Sequence, residues 1–366
     1  MGLRRRTRSR RGRLLSLAVL TLLGACSGSR PHAPKVTAPP GGILLAGAGA
    51  TFPERLYKDW FATYQKDHPT VAVTYDGVGS GEGVRRFLDK DVDAESRVDF
   101  GASDAAMTDD QIAASPRGAL LLPVTAGMVV LAYNLPGFEG DLRLSRAAYE
   151  GIFLGEITTW DDPLIKRTNP GATLPKLSIT TAVRQDRSGT TFAFTKHLDA
   201  IGDRWRGRYG AATLVAWPGS AMRAKGNEGV AGLVKEAAGS IGYVDFASAR
   251  QAKLRMALLE NREGKFVSPT PDCGTAALGA VALPENLRLF VPDPPGPQSY
   301  PITTLTWILL RRSYDDPRRA EGLRDLFRWC LTAGQERAPD LGYLRLPAAA
   351  TAKALEALDT IAPGRP

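Results

Sequence analysis

Short apolar runs of strand-like composition alternate with segments of helical period along most of the chain. This alternation restricts the fold more than any other feature. Val71-Ala72-Val73-Thr74-Tyr75 reads as a strand, and Val98-Asp99-Phe100-Gly101 as a short one. Pro53 to Lys66 places Leu56, Trp60, Phe61 and Tyr64 on one helical face, and Val84, Phe87 and Leu88 mark a second helix. Further strands are expected at 119–124, 127–133, 177–183, 240–246 and 301–311, and further helices at 145–153, 189–200, 227–238 and 317–332. Such alternation predicts α/β architecture with largely parallel sheets. A chain of 366 residues, 43% of them apolar, can fill two lobes of ordinary domain size. Periodicity does not mark the boundary between them.

The first 25 residues read as a targeting segment rather than as part of the fold. Arg4, Arg5, Arg6, Arg8, Arg10, Arg11 and Arg13 precede an apolar run, Leu14 to Leu23, too short to span a bilayer as a helix. Leu23-Gly24-Ala25-Cys26 then resembles the lipobox of bacterial lipoproteins, in which the Cys sulfur is lipidated and the chain is cut before it. Ser9-Arg10-Arg11 resembles a twin-arginine signal only faintly, in a region rich in Arg throughout, so general secretion is the expected route. Residues 26–42, rich in Pro, Gly and small polar side chains, read as a flexible tether.

This segment also accounts for most of the formal charge of +9. Outside the seven N-terminal arginines, 40 basic side chains face 38 acidic ones. A body so nearly neutral has no electrostatic footprint for nucleic acid. With Cys26 lipidated, Cys273 and Cys330 remain, a pair that an exported protein could hold either as a disulfide or as free thiols. Their separation, without a third ligand, does not describe a metal site.

A local design recurs three times. Gly47-Ala48-Gly49-Ala50-Thr51-Phe52-Pro53 precedes a helix, with Pro53 suited to its first position. Gly77-Val78-Gly79-Ser80-Gly81-Glu82-Gly83 precedes another, and Arg184-Gln185-Asp186-Arg187-Ser188-Gly189-Thr190-Thr191 a third. Each turn places small residues and a hydroxyl where unpaired backbone N–H groups and the positive end of a helix dipole point outward, an anion-binding arrangement. A single turn of this kind is commonly only a cap; three of them, one carrying an Arg, point to an oxyanion. None ends in the Gly-Lys-Ser/Thr of a nucleotide phosphate loop. Asp104, just after the strand at 98–101, reads from composition as a helix N-cap.

Together these residues resemble the PstS family of phosphate-binding proteins, over about residues 45–346. The resemblance rests on GAGATFP at 47–53, GVGSGEGV at 77–84, VDFGASDAAMTD at 98–109, YEGIFLGEITTWDDPLI at 149–165, RSGTTFAFT at 187–195, GNEGVAGLV at 226–234, GSIGYVDFA at 239–247 and YPITTLTWILL at 300–310. It implies an α/β, two-lobed periplasmic-binding-protein fold of type II, with hinged lobes and the ligand cleft between them. Residues 43–124 and 300–366 would form one lobe and 125–299 the other, with crossings near Val124–Thr125 and Ser299–Pro301. The implied phosphate ligands are Thr51, Phe52, Ser80, Asp104, Arg184, Ser188, Gly189 and Thr190, with Asp186 pairing with Arg184. Phe52 and Gly189 would donate backbone N–H groups, the hydroxyls would add theirs, and Arg184 would supply a fork of full positive charge.

On this resemblance Asp104 acquires a role. An ionised carboxylate only accepts hydrogen bonds. Phosphate at neutral pH carries a proton to donate, whereas sulfate carries none. Two departures from the family pattern stand out: Glu82 brings negative charge near the site, and Arg187 brings positive charge beside Ser188, the two suggesting an ion pair across the cleft.

The implied function is capture of inorganic phosphate outside the cytoplasm, at the membrane through a lipid anchor, for the permease subunits of an ABC importer. The binding protein would act as a monomer without cofactor or metal. A receptor for sulfate or molybdate is the first alternative, opposed by Asp104, and a surface phosphate sensor another. Catalysis lacks its parts: His32 lies in the tether, His68 before Pro69 and His197 in a helical segment, and Ser188 has no evident base. Trp60, Trp160, Trp205, Trp217, Trp307 and Trp329 are expected in the core or at lobe edges.

Overall fold

The computed structural model describes residues 1–2 and 36–363; Cys26 and most of the targeting segment lie outside the described residues. Residues from Val36 onward form one compact unit. Eight strands order its main sheet: β1 (Ile43–Gly49), β2 (Val71–Gly77), β3 (Phe100–Ser103), β4 (Leu120–Asn134), β5 (Thr180–Arg184), β6 (Met222–Ala224), β7 (Ser240–Asp245) and β8 (Thr303–Leu310). Their spatial order is β2-β1-β3-β8-β4-β7-β5-β6, and the short strand Arg255–Met256 pairs with β4 at the side.

The expectation of largely parallel sheets holds at the two ends and fails in the middle. β2, β1 and β3 are parallel, as are β7, β5 and β6. β8 is antiparallel to both β3 and β4, and β4 is antiparallel to β7. The sheet is therefore mixed, because β8 returns from a distant part of the chain without a crossover helix.

β4 corrects a second expectation. Two strands, 119–124 and 127–133, are one strand of 15 residues. Its first half pairs with β8 and its second with β7, so backbone partners continue through Thr125–Gly127. The register shifts between Thr306 and Trp307, opposite Pro123 and Thr125. Pro123 cannot donate to the ladder, and a bulge there absorbs the irregularity without ending the strand. β4 is buried on both faces through Tyr133, which is why its apolar run shows no alternation.

The helices that matter to function begin where parallel strands end. α1 (Glu54–Asp67) follows β1, and α2 (Ser80–Phe87) follows β2. α3 (Gly189–Ile201) follows β5, and α4 (Gly226–Glu236) follows β6. α1 buries Leu56, Tyr57, Trp60, Phe61 and Tyr64, the stripe its helical period requires. Pro53 is its N-cap rather than its first residue, and the Pro53 carbonyl accepts from Tyr57 N–H at 2.9 Å. Such fully buried aromatics stabilise by about 1.5–3 kcal/mol each.

Trp60, Trp160, Trp205, Trp217 and Trp307 are buried, and Trp329 packs partly buried against the core. Cys273 and Cys330 are both free thiols. Cys330 is buried on the helix Pro317–Leu331, while Cys273 lies in the first turn of the helix Pro271–Gly279, so neither sulfur finds the other.

Candidate functional site

The two sets of parallel strands run toward each other along β4, β3 ending at the level of Pro123 and β7 at that of Val129, and the turns after them converge between those levels. The first two turns are joined through backbone: the Gly49 carbonyl accepts from Val78 N–H at 3.0 Å and Gly79 N–H at 2.8 Å. Gly49 has φ of +151°, and a Cβ there would meet the Ala102 carbonyl oxygen at 2.0 Å, so no larger residue fits.

Ser80 opens α2 and is buried. Its Oγ accepts from Asp104 N–H at 3.2 Å and lies 3.4 Å from Asp104 Oδ2. Asp104 follows β3 but caps no helix; Thr108 performs that role for Asp109–Ala113, with a capping box to Gln111. The carboxylate is instead fixed by Thr306 of β8, whose Oγ1 donates to Oδ1 at 2.7 Å. Burial pushes the Asp104 carboxyl up to about 7, against the Thr306 hydrogen bond and the Arg184 charge, while Asp245 pushes further upward.

The third turn closes on the second. A Cβ on Gly189 would lie 2.4 Å from Ser80 Oγ and 2.6 Å from Asp104 Cβ. Gly81 N–H donates to the Arg187 carbonyl at 3.0 Å. Ser188 caps α3 by accepting from Thr191 N–H at 3.1 Å. Arg184, at the end of β5 and 2% exposed, grips Asp186 with Nε at 2.8 Å and with Nη2. Burial works against the Asp186 carboxylate, yet the Arg184 hydrogen bonds and charge hold its pKa below the ordinary value. Gly226 N–H adds a hydrogen bond to Asp186 at 3.2 Å.

Thr51 and Thr190 meet through a residue that sequence reasoning left without a role. Asn227, in the first turn of α4, places Nδ2 3.3 Å from Thr51 Oγ1 and 3.1 Å from Thr190 Oγ1. Phe52 is buried beside Thr51, and its carbonyl accepts from Tyr343 O–H at 2.8 Å. All eight sequence-predicted ligand residues thus gather where the turns meet. Thr306, Asn227 and Asp245 were missed. Asp245, at the end of β7, is buried with Oδ2 unpartnered among the described residues, and burial raises its carboxyl to about 6. All three lie within stretches that carry the resemblance, Asn227 in GNEGVAGLV, Asp245 in GSIGYVDFA and Thr306 in YPITTLTWILL, and none was given a role of its own.

The expected Glu82–Arg187 ion pair does not form. Glu82 turns along its own helix to Arg85 at 2.7 Å and Arg86 at 2.9 Å. The Arg85 hydrogen bond chiefly lowers its carboxyl to about 2. Spacings of three and four residues make these partners nearer than anything across the cleft. Arg187 is exposed and lines a cavity of about 680 Å³ that also reaches Ser80, Lys90 and Phe192.

The arrangement can hold a small oxyanion: hydroxyls, helix-start N–H groups and one buried guanidinium supply donors, and Asp104 supplies an acceptor. Among the described residues no cluster of His, Cys, Asp or Glu could hold a metal ion. His197 is buried between Tyr149 O–H, 2.8 Å away, and the Pro292 carbonyl. His68 stacks on Tyr64.

The sequence profile of the PBP superfamily domain matches residues 28–333. A phosphate-binding protein PstS of Methanocaldococcus jannaschii is 35% identical, with 92% of this chain and 90% of that protein covered. That of Haemophilus influenzae is also 35% identical, over 83% of this chain and 89% of its own. Among solved structures, a high-affinity periplasmic phosphate-binding protein bound with phosphate at pH 8.5 superposes with a TM-score of 0.71 at 24% identity, covering 85% of this chain and 92% of that one. A phosphate-binding protein from Stenotrophomonas maltophilia gives 0.69 at 18% identity, covering 86% and 93%. These structures share the two-lobed type II periplasmic-binding fold.

Proposed function

The chain belongs to the PBP superfamily and within it to the PstS family of phosphate-binding proteins, and from that membership we propose that it captures inorganic phosphate for an ABC importer. The observation that carries this reading is the buried carboxylate of Asp104 among donors. Arg184, the helix starts and the hydroxyls attract any oxyanion, but a pure acceptor favours one that still carries a proton. An unmet buried polar group costs about 1–3 kcal/mol, more when charged. Sulfate facing ionised Asp104 would meet that cost.

In this reading Thr51, Phe52, Ser80, Asp104, Arg184, Ser188, Gly189 and Thr190 contact the phosphate, and Asp186 holds Arg184 in place. One lobe comprises residues 43–124 and 300–366, the other 125–299. The chain crosses between them in β4 and again before β8, and closure about these crossings presents the loaded form to permease subunits. The protein works outside the cytoplasm as a monomer, tethered by lipid on Cys26. Its role is binding without chemistry; the engagement of His197 with Tyr149 and Pro292 keeps that imidazole from serving Ser188 as a base.

Calorimetric titration of protein stripped of carried-over phosphate tests the reading. One-to-one phosphate binding with sulfate silent at pH 8 is expected. Absence of phosphate binding by the folded, stripped protein would overturn it.

A further inference from the structure

Asn227 is a side-chain partner shared by the first and third turns. It is 0% exposed. Its Nδ2 is within hydrogen-bond distance of Thr51 Oγ1 and of Thr190 Oγ1. Its Oδ1 is buried with no partner among the described residues. The same helix start donates Gly226 N–H to Asp186, the partner of Arg184. The beginning of α4 therefore organises the guanidinium and both threonines.

A threonine hydroxyl is ambivalent: it carries one proton and can accept as well as donate. An amide NH2 carries two protons and accepts nothing. When both protons of Nδ2 go to Thr51 and Thr190, each hydroxyl receives a hydrogen bond and must direct its own proton elsewhere. The reverse amide orientation would let Oδ1 consume both hydroxyl protons and would strand two N–H donors in a closed interior. The observed orientation strands a single carbonyl oxygen, the smaller loss.

We propose that Asn227 is a positioning residue that commits the hydroxyls of Thr51 and Thr190 to donate to the bound anion. The proposal rests on the phosphate reading above and adds to it a residue that acts through the two threonines. A neutral Asn is suited to this task where Asp is not. A carboxylate at 227 would accept both hydroxyl protons, turn them from the anion and add repelling charge.

The test uses the full chain, stripped of phosphate, with inorganic phosphate as probe and calorimetry between pH 5 and pH 8. Asn227→Asp is expected to lower affinity at least about 100-fold at pH 8, since it reverses two hydrogen bonds and places like charges together. As pH falls and the introduced carboxyl protonates, its deficit relative to wild type is expected to narrow about tenfold. Asn227→Ala is expected to lose about 20-fold with no such pH dependence, and only about fivefold when Thr51→Val or Thr190→Val is already present, because the contacts are shared. A deficit of Asn227→Asp that is the same at every pH would overturn the proposal, as would an Asn227→Ala loss of unchanged size in both valine backgrounds. Should Asn227→Asp not fold, the alanine and valine cycle decides alone. Failure of wild type to bind phosphate would instead defeat the functional reading.

Discussion

Thr306 Oγ1 donates to Asp104 Oδ1 at 2.7 Å, across 202 residues of sequence. One carboxylate oxygen is thereby taken up by the protein, while the other faces Ser80 Oγ at the longer distance of 3.4 Å. On the proposed phosphate reading, Oδ2 is the oxygen that would receive a proton from the ligand. The bond also stabilises the ionised form, opposing the upward push of burial.

Thr306→Val keeps the shape of the side chain and removes this donor. Hydrogen bonds to charged groups contribute about 1.5–3 kcal/mol, so phosphate affinity at pH 7 is expected to fall at least about tenfold. Asp104 then titrates above its present value of about 7, and raising the pH to 8.5 restores part of the loss. Calorimetry at the two pH values checks both parts.

Sulfate gives the sign of the Asp104 effect. The carboxyl titrates near 7, well above the ordinary value, so below that pH it carries a proton that it can donate to an anion lacking one. Above it, the competent fraction falls about tenfold per pH unit, and apparent affinity falls with it. Sulfate binding is expected to strengthen as pH drops from 9 to 7 and to level off below. Asp104→Asn, which offers an N–H donor at every pH, should flatten the profile; a profile unchanged by that substitution would remove Asp104 from the selectivity argument.

Gly189→Ala introduces a methyl where Ser80 Oγ would lie 2.4 Å away and Asp104 Cβ 2.6 Å away. Both neighbours are buried, so the third turn must back away from the second. Phosphate affinity is expected to fall about 100-fold or more, because a displacement of this size separates donors from the anion. The melting temperature without ligand is expected to fall as well, because forcing a methyl against buried neighbours costs about 1–3 kcal/mol.

Glu82→Gln should leave phosphate affinity within about threefold of wild type, because surface pairs of this kind contribute about 0–1 kcal/mol and the charge is already matched on α2. Asp186→Ala contrasts with it. Removing the partner of a buried guanidinium costs about 3–5 kcal/mol. A lower melting temperature and weakened phosphate binding are expected together.

Much of the fold was legible because it is encoded locally. The stripe of Leu56, Trp60, Phe61 and Tyr64 defines α1 by its period alone, and all four are buried. The three turns announce themselves through glycines and hydroxyls at helix starts, and the eight proposed ligands fall within them or directly after β3. β4 was read as two strands because Thr125 and Ala126 interrupt its apolar run, and pairing with β8 carries the strand through them. Glu82 was misassigned because charge near a site was weighed without its neighbours at three and four residues. Cys273 and Cys330 were an even pair whose geometry no spacing could supply.

The sequence by itself determined the chemistry on offer: hydroxyls and N–H groups at helix starts, one arginine and one carboxylate suited to an oxyanion that carries a proton. Those properties belong to residue types and to short-range backbone geometry, so they can be read without knowing what lies nearby in space. The tertiary structure alone decided which Asp104 oxygen remains available, which amide orients Thr51 and Thr190, and that Gly189 must lack a side chain beside Ser80. Each depends on atoms brought within about 3 Å across 37 to 202 positions. Hydrogen bonds at that range leave no periodic trace in a sequence, because pairing them is the work of the strands and helices that carry them.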